Sequence, residues 1–222
     1  MTDSALGGMA MLWSRRRDFI LSALSVVAAL PLRAQSASKT ILVVGDSLSA
    51  EYGLARGTGW VALLATRLAE AKSPYTAINA SISGDTTSGG RSRLPSLLKQ
   101  HQPAIVVIEL GGNDALRGLP LNMTEDNLTA MTQAAQTAGA KVLLLGMQMP
   151  PNYGADYGKR FADMYAKVAA KQNAYLVPFF LKGVADDADA LRWFQADRIH
   201  PLATAHPRML NNVWPTLTKL IK

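Results

Sequence analysis

The chain has 222 residues and no cysteine; 49% of its residues are hydrophobic and 18% charged. That length suits one well-buried domain rather than two, the composition excludes a disordered or fibrous chain, and the missing thiols exclude a cysteine nucleophile or a cysteine zinc site. The formal charge of +7 falls to +5 beyond residue 34, with 19 basic and 14 acidic residues dispersed and not interleaved with aromatics, so the surface suits simple solubility first, and transient contact with anionic lipid second, rather than a nucleic-acid groove.

The first 34 residues differ in kind from the rest. Arg15-Arg16-Arg17 precedes an apolar run from Phe19 to Leu32, and Leu32-Arg33-Ala34 ends it on a small residue. Basic head, apolar middle and small-residue exit form an export signal, and the run is shorter than the ~20 residues that span a bilayer. Arg16-Arg17-Asp18-Phe19-Ile20 resembles a twin-arginine signal. Arg15 stands where that signal usually has Ser or Thr, which keeps the ordinary secretory route open. The expectation is a periplasmic or secreted protein whose mature part, residues 35–222, is a single domain.

Thr40 to Val44, closed by Gly45, reads as a buried strand. Trp60, Val61, Leu64, Ala65 and Leu68 recur at helical spacing. Tyr75 to Ala80 is a second, weaker strand; Ala104 to Leu110 is the strongest, stopped by Gly111-Gly112; Lys141 to Leu145 and Tyr175 to Phe179 follow. Helical spacing recurs at Phe161, Met164, Tyr165 and Val168, and a last helix after Pro201 is expected to kink or end at Trp214-Pro215. Continuous apolar strands alternating with amphipathic helices predict an α/β fold, a mainly parallel sheet covered on both faces. Right-handed crossovers then gather the loops that follow strands on one sheet edge, where such folds bind ligands.

Four segments carry potential chemistry: Gly45-Asp46-Ser47-Leu48, Ser83-Gly84-Asp85, Gly111-Gly112-Asn113-Asp114 and Asp197-Arg198-Ile199-His200. Ser47 follows a strand, so its hydroxyl can be exposed and its N–H aimed at a developing charge. A serine hydroxyl needs a base, and an imidazole exchanges protons near neutral pH. His200 is that candidate, with Asp197 three residues earlier able to orient it. Asn113 and the Gly84 N–H could complete an oxyanion hole with the Ser47 N–H.

In order, GDSL at 45–48, Gly84, GGND at 111–114 and DRIH at 197–200 resemble the four blocks of the SGNH (GDSL) hydrolases. The segment Met147-Gln148-Met149-Pro150-Pro151-Asn152-Tyr153-Gly154 and Phe161…Tyr165 are similar to the bacterial periplasmic thioesterase/lysophospholipase/arylesterase branch. The likeness covers roughly residues 40 to 220. It implies a three-layer α/β/α, flavodoxin-like fold, a catalytic Ser47–His200–Asp197 triad, and oxyanion donors at Ser47, Gly84 and Asn113. It also implies hydrolysis of carboxylic esters or thioesters through an acyl-enzyme, with no cofactor.

Several of these residues admit a second reading. Ser47 could be a plain N-cap; Asp46 is expected to hold the turn; Asp85 and Asp114 are expected to cap helices or brace loops. His101 reads as a surface loop residue, and His206, before Pro207, is the rival base. Asp197 and His200 could bind a metal, but no further ligand shows matching spacing. Loops 115–122 and 147–158 are expected to line an acyl-binding groove through Leu116, Met149, Pro150 and Tyr153, rather than to form satellite core. A carbohydrate O-deacetylase using the same triad and a non-catalytic flavodoxin-like binding protein are the alternatives.

Overall fold

The computed structural model describes residues 38–222; the export signal expected over residues 1–34 lies outside them. Five strands, β1 (Lys39–Gly45), β2 (Tyr75–Asn79), β3 (Ile105–Glu109), β4 (Lys141–Leu145) and β5 (Tyr175–Val177), form one sheet in the order β2-β1-β3-β4-β5. Every pairing is parallel. Ile41 to Val44, Ile105 to Ile108 and Val142 to Leu145 are all buried, because helices cover both faces and leave no strand side for water. β5 stops two residues short of the expected Phe179. Pro178 has no N–H to give the ladder, and the chain turns there, with Phe180 N–H bonding the Gly146 carbonyl at 2.8 Å.

The helices are α1 (Trp60–Glu70), α2 (Thr87–His101), α3 (Gly112–Leu116), α4 (Leu121–Thr137), α5 (Ala155–Lys171) and α6 (His206–Leu220). α1 buries Trp60, Val61, Leu64 and Leu68, and α5 buries Phe161, Met164, Tyr165 and Val168. Both are the stripes that the 3.6-residue period announces. Three expectations need correcting. The loops 115–122 and 147–158 are shorter than read: Leu116 closes α3, α4 opens at Leu121, a 3-10 turn spans Pro151–Tyr153, and α5 opens at Ala155. His101 is the last residue of α2 rather than a loop residue. Pro215 does not end α6, which continues to Leu220. An interior proline costs about 3 kcal/mol, but Leu217 and Leu220 beyond it are fully buried. Each such leucine returns roughly 2 kcal/mol, so burial outweighs the break.

The connection from β1 leads to β2 on one side of the sheet, and that from β3 leads to β4 on the other. Such a reversal opens a crevice beyond the carboxyl ends of the two strands. Ser47 follows β1 and Asn113 follows β3, so the switch point is where these residues must lie.

Candidate active site

Beyond Gly45 the chain does not enter a helix at once. Asp46 accepts backbone bonds from Ser49 at 3.2 Å and Ala50 at 2.9 Å, and its Oδ1 accepts the Leu48 N–H at 3.0 Å. This side-chain-closed turn leaves Ser47 half-buried at the crevice floor. Gly45 is required by close approach. It pairs with Glu109 across the sheet, and a Cβ there would lie 2.8 Å from Glu109 Oε2 and 2.9 Å from Ser49 Oγ.

The Asp197–His200 turn reaches Ser47 from the far end of the chain. Phe194 bridges Pro201 antiparallel, Gln195 N–H bonds the His200 carbonyl at 2.8 Å, and Leu202 N–H bonds the Trp193 carbonyl at 2.7 Å. Within this pinched loop Asp197 Oδ1 accepts the N–H groups of Ile199 at 2.9 Å and His200 at 3.0 Å. Its Oδ2 meets His200 Nδ1 at 2.7 Å, and His200 Nε2 lies 2.9 Å from Ser47 Oγ. A carboxylate receiving the His200 N–H, the His200 ring and the Ile199 N–H is stabilised in its charged form, which lowers the Asp197 pKa to about 2. Ionised Asp197 fixes the tautomer: Nδ1–H donates to it, leaving the Nε2 lone pair to accept the Ser47 hydroxyl proton. The Tyr52 ring stacks beside the imidazole, centroids 4.2 Å apart. The Tyr52 carbonyl is held by Gln195 Nε2 at 2.9 Å.

The predicted oxyanion donors are held by different means. Gly84 has φ +78 in a turn closed by Asp85 N–H to the Ile82 carbonyl at 3.1 Å, a conformation that favours glycine. Its carbonyl is tied to Arg117 Nη2 at 2.8 Å. Neither the Ser47 nor the Gly84 N–H meets a backbone acceptor among the described residues. Asn113 Nδ2 donates to Asp46 Oδ2 at 3.0 Å, which sets the amide orientation and leaves its second N–H for the crevice.

Sequence reasoning missed the acid beneath this floor. Glu109 is the lone charged side chain of β3 and is fully buried. Its Oε2 accepts the Asp46 N–H at 3.3 Å and the Ser49 hydroxyl at 2.8 Å, and Ser49 Oγ accepts Trp60 Nε1–H at 3.0 Å. Burial raises the pKa of both carboxyls, and Glu109, facing the Asp46 charge, rises further. Two adjacent buried carboxyls cannot both ionise cheaply, so Glu109 holds its proton and Asp46 keeps the charge that orients Asn113. Asp85 and Asp114 do brace the loops. Asp85 accepts the Thr86 N–H at 3.0 Å and pairs with Arg93 at 2.8 Å. Asp114 accepts the Thr87 N–H at 2.9 Å and the Thr87 hydroxyl.

His206, the rival base, is buried away from the serine. Its Nδ1 accepts the Trp60 N–H at 3.0 Å, and burial lowers its pKa to about 4. It ties the start of α6 to the start of α1.

A cavity of about 600 Å³ opens over Ser47, within the size range of small-molecule sites. Leu116, Met149 and Pro150 are among its lining residues, and Tyr153 is not. The 3-10 turn over Pro151–Tyr153, followed by Gly154 at φ +89, carries the chain away into α5. The larger omission is the segment after β5: Phe179, Leu181, Ala185, Leu191 and Phe194 supply one wall. The rule that loops after strands reach the site edge could have found it. Among the described residues no group of three or more His, Asp or Glu side chains is arranged to hold a metal ion.

The profile of the GDSL-like lipase/acylhydrolase family matches residues 43–208. An esterase named TesA from Pseudomonas aeruginosa is 54% identical over 190 residues, 86% of this chain and 93% of its own. A thioesterase 1/protease 1/lysophospholipase L1 from Escherichia coli K12 is 43% identical, covering 78% of this chain and 80% of its own. Among solved structures, the psychrotrophic esterase EstA from a Pseudoalteromonas species, in a form inhibited by monoethylphosphonate, superposes with a TM-score of 0.76 at 40% identity. That match covers 82% of this chain and 97% of the other.

Proposed function

The chain belongs to the GDSL-like lipase/acylhydrolase family and is a hydrolase of small carboxylic esters or thioesters, and from that premise we propose that Ser47, His200 and Asp197 are its catalytic triad. The observation that carries the assignment is the unbroken line from Asp197 Oδ2 to His200 Nδ1 at 2.7 Å and from His200 Nε2 to Ser47 Oγ at 2.9 Å. Ser47 Oγ attacks the acyl carbonyl as its proton passes to His200 Nε2, and ionised Asp197 stabilises the imidazolium through Nδ1–H. The Ser47 and Gly84 N–H groups and the Asn113 amide receive the negative oxygen. Collapse expels the alcohol or thiol, protonated by His200, and leaves an acyl-enzyme. His200 then takes a proton from water, whose attack on the acyl group frees the acid and the serine.

The cavity walls favour an acyl chain of some length over an acetylated sugar. Leu116, Met149, Phe161, Phe179 and Leu181 present carbon, against which a polar sugar would lose hydration without compensation. Aryl esters, lysophospholipids and acyl thioesters are the proposed substrates. We further propose that residues 1–34 are an export signal and that the mature protein works in the periplasm or beyond, where its basic surface can touch anionic lipid. Ser47→Ala should abolish hydrolysis of a chromogenic ester while leaving the circular dichroism spectrum intact; turnover by that variant would sink the triad.

A further inference from the structure

Arg198 sits between Asp197 and His200 in a conformation that buys the fold nothing visible. Its φ is +60, in the left-handed region that a Cβ disfavours. Glycine would occupy the same turn without that cost. The turn itself is already fixed by the Asp197 carboxylate and by Gln195. Arg198 contributes only its backbone N–H, bonded to the Gln195 carbonyl at 2.9 Å, which any residue but proline would supply.

Its side chain is uncommitted. Arg198 is exposed, lines the cavity over Ser47, and makes no ion pair or side-chain hydrogen bond among the described residues. The neighbouring cations are engaged: Arg117 with the Gly84 carbonyl at 2.8 Å, Arg192 with Asp187 at 3.0 Å, and Arg208 with the Gly183 carbonyl at 3.0 Å. The acids of the cavity are engaged too. Asp46 binds Leu48 and Asn113, and Asp186 accepts the Gly183 N–H. One free guanidinium therefore lines a cavity whose walls are mostly apolar and whose acids are already bonded.

Which end of the substrate it meets follows from the proton path. A charge on the acyl chain would have to enter the apolar pocket at high desolvation cost. His200 must reach the departing oxygen or sulfur, so the leaving group passes the turn that bears both residues. We propose that Arg198 is a specificity residue that binds a phosphate carried on the leaving group, its planar fork gripping two phosphate oxygens as a lysine cannot. This rests on the ester- and thioester-hydrolase reading above, and it names the feature that distinguishes preferred leaving groups. A glycerophosphate head group and the phosphates of a coenzyme A thiol share that chemistry.

The test compares the wild type, Arg198→Gly and Arg198→Lys on matched pairs of equal acyl chain. One pair is a lysophosphatidic acid against a monoacylglycerol; the other is an acyl-coenzyme A against the acyl thioester of N-acetylcysteamine. For the wild type, kcat/KM should favour the phosphate-bearing member of at least one pair, and the preference should shrink as salt rises. Arg198→Gly should lower that ratio about tenfold, chiefly through KM, and Arg198→Lys should restore part of it. Its melting temperature should equal or exceed that of the wild type, since glycine relieves the left-handed strain. Loss in the first pair alone assigns the site to glycerophosphate, and loss in the second alone assigns it to coenzyme A. Ratios unchanged in Arg198→Gly, whether or not both members of a pair slow equally, overturn the proposal. Wild-type inactivity on all four substrates would instead overturn the hydrolase reading beneath it.

Discussion

His206 offers a prediction in which the sign and the size both come from the structure. Its buried neutral ring accepts the Trp60 N–H at 3.0 Å. Protonation would remove the acceptor and bury a charge. The folded protein therefore holds its pKa near 4, against the ordinary 6.5 of the unfolded chain. Between these values the unfolded chain binds a proton that the folded one refuses, so this group's contribution is full above pH 6.5 and is lost as pH falls towards 4. Going from pH 7.5 to 4.5 it should remove about 2–3 kcal/mol. Glu109 and Asp46 act in the opposite sense, because burial raises their pKa values and they favour the folded state as pH falls, so the wild-type profile alone mixes the two. His206→Gln separates them. An amide can accept from Trp60 without titrating, and the variant should stay near wild-type stability at pH 7.5. Urea denaturation at the two pH values should show the wild type losing about 2–3 kcal/mol more than His206→Gln, or roughly 4–12 °C in melting temperature. Parallel pH profiles for the two proteins would refute the buried neutral clamp.

Asp197→Asn should leave the fold intact and lower kcat by about 1,000- to 10,000-fold, because a neutral amide no longer enforces the tautomer that frees Nε2; steady-state kinetics with a chromogenic ester reads this. Asn113→Ala should lower kcat by about 100- to 1,000-fold with little change in KM, the mark of a donor used at the transition state. Tyr52→Leu removes the ring stacked on His200 and should lower kcat by up to about tenfold, while Tyr52→Phe should remain near wild type, since the contact is made by the ring face.

The strands were legible because β1, β3 and β4 are buried on both faces and write themselves as continuous apolar runs. The early end of β5 turned on Pro178, a residue whose missing donor is plain in the sequence. Pro215 misled in the other direction: local propensity predicts a break, and only the burial of Leu217 and Leu220 beyond it carries the helix through. The meeting of Ser47 with Asp197 and His200 was suggested by the blocks at 45–48 and 197–200. What no spacing reveals is how the loop is held, by Gln195 bridging Tyr52 and Pro201, with His206 behind it accepting the Trp60 N–H. Glu109 could have been noticed as a lone acid inside an apolar strand, but its role depends on Gly45 pairing with it across the sheet. Tyr153 failed as a lining residue because a three-residue 3-10 turn redirects the chain, a length too short for periodicity to register.

Whether Ser47 carries the acyl group is read by intact-protein and peptide mass spectrometry on the enzyme quenched during turnover of an aryl ester. A mass increase equal to one acyl group is expected, located on the peptide containing Ser47 and absent in Ser47→Ala. An acyl group found on another residue, or turnover by a Ser47→Ala protein, would contradict it.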